Sequence, residues 1–188
     1  MGKDINTGCV IMSLMGYLTS KDIGVISVMA AFWAIINATI SPIFWRLTHL
    51  PFFCDLLALI SLSITLWWTR KFGSGIIVGI IATLLNFVLR PGALFFLGFT
   101  VASVFFDIFL YLLKYERVFS TSRGLVLLVV SGVLSTWIAG LIIGTFFMSF
   151  RVIKAVLLFS VLHSLGGLIG SVLSIAIIKS LEVRRIRP

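Results

Sequence analysis

Acidic residues are scarce in this chain: six Asp and Glu in 188 residues, against fifteen Lys and Arg. Histidine occurs only at positions 49 and 163, and cysteine only at 9 and 54. Two cysteines without a CxxC supply neither a disulfide framework nor a four-cysteine redox relay. The sequence has no HExxH, no paired intramembrane aspartates, no serine–histidine nucleophile spacing and no Walker A sequence. The GGLIG at 166–170 is not a phosphate loop, because no strand precedes it and it lies within a long apolar run. These absences argue against an enzyme, a resident metal or cofactor, and ATP hydrolysis by the chain alone.

Apolar sequence is abundant. Hydrophobic residues make up 60% of the chain, charged residues 11%, and the mean hydropathy is +1.20. Such a composition predicts an all-α integral membrane protein, a compact bundle of six transmembrane helices. The formal charge of +9 is not a nucleic-acid signature here, since the bases sit between apolar runs as topology signals do.

The first long run, 23–45, reads IGVISVMAAFWAIINATISPIFW and is long enough to cross a hydrocarbon core of roughly 30 Å. Further spans are expected at about 52–68, 73–89, 92–113, 124–150 and 155–178. Residues 1–20 read as a cytoplasmic tail, 21–180 as the membrane domain and 181–188 as a basic cytoplasmic tail. Trp67 and Trp68 are expected at a headgroup boundary. With six spans, eleven of the fifteen bases fall on the side of the termini and only Arg46, Arg90, Arg151 and Lys154 on the other. The positive-inside rule then places both termini in the cytoplasm of a cell with the protein in its plasma membrane.

Two patterns stand out within the spans. Ala30, Ala34 and Ala38 recur every fourth residue and line one stripe of the first helix, where small side chains let another helix approach. Its partner is either a neighbour in the same chain or a helix of another protein. Gly75/Gly79, Gly132/Thr136/Gly140/Gly144 and Gly166/Gly170 repeat the spacing and read as internal packing. Polar residues are costly in hydrocarbon unless they face protein or water. They concentrate in the outer half: Asn37, Asp55, Asn86, Arg90, Thr145, Ser149, Arg151, Lys154 and Ser160, with His163 toward the middle of its span. That half is the place for an outward-facing binding cavity. Asn37, Asn86 and His163 are the candidate recognition groups, Trp137 at mid-depth a candidate aromatic floor, and the loop with Arg46 and His49 a candidate cover. Asp55 is expected to pair with Arg46 or His49, and Asp107 to cap or pair near Lys114 or Arg117. Four outer bases against one acid favour a neutral or anionic ligand over a cation.

The segments KDIGVISVMAAFWAIIN, TRKFGSGIIVGIIATLLNFVLRPG and LGFTVASVFFD resemble the substrate-binding S-components of energy-coupling factor (ECF) transporters, over about residues 21–180. The resemblance implies six helices that capture a vitamin or its precursor from outside. It also implies that Ala30, Ala34 and Ala38 dock onto a transmembrane coupling subunit driven by two ABC ATPases. The FGSGIIVGIIATLLN segment is most similar to S-components for thiamine or its pyrimidine precursor. Cobalt and nickel members begin Met-His, whereas this chain begins Met-Gly-Lys, which disfavours a metal substrate. A non-transporting scaffold, or a small self-sufficient carrier, is the competing reading. The halves 23–113 and 124–178 lack the self-similarity that an inverted-repeat carrier would show.

Overall fold

The computed structural model describes residues 17–186, and most of the expected N-terminal tail lies outside them. The described residues form helices α1 (Ser20–Thr48), α2 (Phe52–Thr69), α3 (Ser74–Leu89), α4 (Leu97–Leu113), the short α5 (Tyr115–Ser120), α6 (Ser122–Ile142) and α7 (Ile153–Val183). A 3-10 turn, Leu94–Phe96, leads into α4, and a π-turn, Ile143–Phe147, extends α6. Helices cover the six expected apolar runs, with ends shifted by a few residues. The last helix runs on to Val183, into what reads as tail, and α5 forms inside the polar loop.

Five helical stretches are long and apolar enough to cross a membrane: Ser20–Thr48, Phe52–Thr69, Leu94–Leu113, Ser122–Phe147 and Ile153–Val183. The remaining apolar helix, α3, has 16 residues and spans about 24 Å at the standard rise.

Contacts at the helix ends fix their directions. Lys71 Nζ reaches Asp22 Oδ2 at 2.8 Å, so α1 and α3 begin at the same end. Trp67 Nε1 donates to Glu182 Oε1 at 3.4 Å, so α2 and α7 finish there. Asp107, near the end of α4, caps the start of α3: its Oδ2 accepts from the backbone N–H groups of Gly73 and Gly75 at 3.0 Å and of Ile76 at 3.2 Å. A first turn has no intrahelical acceptors for these groups, and its partial positive charge favours a carboxylate. Tyr115 Oη donates to the same carboxylate through Oδ1. Burial, and then that bond, pushes the Tyr115 phenol above its ordinary range, so it stays a donor. Asp107 is therefore a cap, as expected, but its partners are α3 and Tyr115 rather than Lys114 or Arg117.

Helix α2 occupies the centre. Twelve of its 18 residues are buried, on all sides, because it packs against α1, α3, α4 and α7. The other long helices follow one another around it as α1, α3, α4, α6 and α7. Trp67, in the last turn of α2, is 1% exposed and packs inside the bundle. Glycines bring the backbones of α2, α6 and α7 together: a Cβ at Gly170 would stand 2.7 Å from the Leu56 carbonyl oxygen, and one at Gly140 2.7 Å from Ser160 Cα. The glycine stripes thus serve internal packing.

The alanine stripe does too. Ala30 and Ala34 have no exposed surface, since α1 lays that face on α2 and α3; only Ala38 is partly exposed. A partner helix cannot reach Ala30 or Ala34 without prising α1 from its own bundle, which corrects the docking expectation. The outward face of α1 carries Val28, Ile35, Ile40 and Ile43 instead.

Candidate functional site: a cavity between the helix ends

At the end opposite Asp107 the helices part around a cavity of about 330 Å³. The end of α1 supplies Ser41, Pro42, Trp45 and Arg46; the α1–α2 turn supplies Leu50 and Pro51; α2 supplies Phe53 and Cys54. Arg90 after α3, Phe95 and Phe99 before and in α4, Ile143 and Met148 at the π-turn, and Phe159 and His163 on α7 complete the wall. Local sequence explains why the wall opens here. Pro42, within α1, has no N–H to return to the carbonyl one turn earlier. His49 ends α1 in the left-handed conformation (φ 55°). At the far side the Met148 N–H bonds back to the Ile143 carbonyl at 2.8 Å, five residues away, a wider turn than the α-helical one and one common near functional sites.

One close polar contact lies at the base of this wall. His163 Nδ1 approaches Asp55 Oδ2 at 2.6 Å, with side chains 4% and 0% exposed. The approach is close but badly directed, and neither the imidazole nitrogens nor the carboxylate oxygens complete a well-angled hydrogen bond. Two glycines allow the pair to meet. Gly166 admits Asp55 and the Phe52 carbonyl against α7, while Gly140 leaves room for the His163 ring. Phe159 meets the imidazole edge-on at a centroid distance of 4.6 Å. Asp55 therefore pairs with His163, not with Arg46 or His49.

Both arginines of the wall lack a carboxylate partner among the described residues. The Arg90 guanidinium lies 5.8 Å from the Phe96 ring centroid, within cation–π range.

Of the six candidate ligand residues, the structure brings Arg46 and His163 to the cavity. His49 is exposed beside Trp45 at a centroid distance of 6.2 Å, near the rim and outside the wall. Asn37 and Asn86 do meet, at the depth expected, but they bind each other. Asn37 Nδ2 donates to Asn86 Oδ1 at 3.2 Å, Asn86 Nδ2 to the Ala82 carbonyl at 2.8 Å, and Ser41 Oγ to Asn37 Oδ1 at 2.7 Å. Both are fully buried behind the wall, where they join α1 to α3 and hold Ser41, which does face the cavity. Trp137 is 37% exposed on the periphery of α6 and is no floor. Phe99 and Phe159 line the cavity instead; as apolar residues in apolar runs they carry no signal that sequence reading could use.

The chain matches no protein-family model, no curated protein and no solved structure.

Proposed function

We propose that this chain captures a small molecule from the outer face of a plasma membrane, as the substrate-binding subunit of an ECF-type importer for a vitamin or vitamin precursor. The observation that carries this reading is the cavity at one end of the bundle, whose apolar wall holds two guanidiniums without a carboxylate partner among the described residues and a poorly satisfied Asp55–His163 pair. A concave, largely apolar pocket with a few convergent polar groups is the usual form of a small-molecule site. In this reading all six apolar helices cross the bilayer, with α3 seated where its neighbours already shield it. Both termini lie in the cytoplasm, because eleven of fifteen bases belong to that end.

The absence of a Walker A sequence leaves energy to partners, a transmembrane coupling subunit and two ABC ATPases. Since Ala30 and Ala34 are inside the bundle, the coupling surface is another face of it. The reading is tested on protein purified in mild detergent, washed and then denatured, with the released molecules identified by mass spectrometry. One compound retained near one per chain, and imported by cells only when the ATPases are functional, is the expected result. A chain that releases nothing and supports no uptake belongs to an assembly scaffold.

A further inference from the structure

We propose that the occupant of the cavity is a flat aromatic anion, a ring carboxylate or phosphate ester, whose charge Arg46 and Arg90 hold. The inference rests on the small-molecule-capture reading and names the chemistry of its ligand.

Charge argues for the anion. Among the described residues Asp55 is the only acid at this end of the bundle; Asp22, Asp107, Glu116 and Glu182 all lie at the other. Asp55 is already 2.6 Å from His163, while Arg46 and Arg90 face the cavity with no carboxylate. The planar fork of a guanidinium matches a carboxylate or phosphate, and two forks on one wall favour a negative occupant. A cationic ligand would add a third positive group to this wall.

Shape argues for the ring. Trp45, Phe53, Phe95, Phe99 and Phe159 supply aromatic surface on several sides of a space of about 330 Å³. A flat ring buries both faces against them by offset or edge-on contact.

Three probes of one shape separate these features: indole-3-acetate, 3-methylindole and tryptamine share a ring N–H and differ in charge. Titrated by calorimetry into the full chain in phosphatidylcholine nanodiscs, indole-3-acetate should bind about tenfold or more tighter than 3-methylindole, and tryptamine weakest. Arg46→Gln or Arg90→Gln should shrink that anion preference.

Tightest binding of tryptamine would overturn the proposal and make Asp55 a counter-ion for a cation. An anion preference untouched by both arginine substitutions would also overturn it. So would loss of that preference when phosphatidylglycerol is added, since the arginines would then hold lipid phosphate. If no probe binds, the molecule released on denaturation decides. An aromatic anion supports the proposal, and a neutral or cationic molecule overturns the ligand class alone. Release of nothing overturns the capture reading with it.

Discussion

Gly166 on α7 lies against the start of α2, so close that a Cβ at 166 would stand 2.8 Å from Asp55 Cβ and press on the Phe52 carbonyl oxygen. The same close approach carries Asp55 to His163 three residues earlier on α7. Gly166→Ala must push α7 from α2, at a cost of about 1–3 kcal/mol typical of overpacking. Its thermal midpoint should fall. Gly24→Ala, where a Cβ meets nothing within 4 Å, should leave the midpoint unchanged or raise it slightly, and an equal loss in both variants would contradict this packing.

Asp107 joins the end of α4 to the start of α3 by accepting three backbone N–H groups. Asp107→Ala strands those donors in a buried place, and each such loss costs about 1–3 kcal/mol. Asp107→Asn keeps an acceptor oxygen and should lose less. Denaturation monitored by helical circular dichroism should rank wild type above Asp107→Asn above Asp107→Ala. Equal stability of wild type and Asp107→Ala would remove the cap from the account.

Ala34 has no exposed surface, so Ala34→Trp should reduce the yield of folded, monodisperse protein. Size-exclusion chromatography of the variant checks this. A variant that folds and binds its ligand normally, and fails only to hold a coupling subunit, would return the stripe to partner docking.

Thr48 and Val152 are exposed at the cavity end, Glu116 and Arg184 at the opposite end. Single cysteines at 48 and 152, in a chain otherwise free of cysteine, should react with an impermeant thiol reagent applied to intact cells. Those at 116 and 184 should not. External labelling at 116 would overturn the orientation and the crossing of six helices together.

The long helices were legible in the sequence because each is an uninterrupted apolar run closed by charge, proline or glycine. Thr19 and Asp22 add a reciprocal cap at the start of α1: the backbone Thr19 N–H donates to Asp22 at 2.8 Å and the Asp22 N–H to Thr19 at 3.3 Å. Depth was legible as well, for Asn37 and Asn86 meet across two helices. Rotation about the helix axis was not. An α-helix buried on every side, such as α2, has no polar face to mark its orientation, and Trp137 reads alike whether it points to the core or to lipid. Hydrogen-bond partners were equally hidden. Asp55 and His163 stand 108 positions apart in the chain, and only the glycines at 140 and 166 hint that the helices approach closely enough to pair them.

The central claim, that the cavity holds a captured small molecule, is tested most directly by filling it. Leu50 and Met148 both line the cavity near its mouth, and Leu50→Trp or Met148→Trp adds bulk there without touching the buried polar pairs. The measurement is the number of small molecules released per chain from wild type and from each filled variant, with folding checked by thermal midpoint. The account predicts close to one molecule in wild type and far fewer in the filled variants at unchanged midpoint. An empty wild type, or the same occupancy in all three proteins, would contradict it.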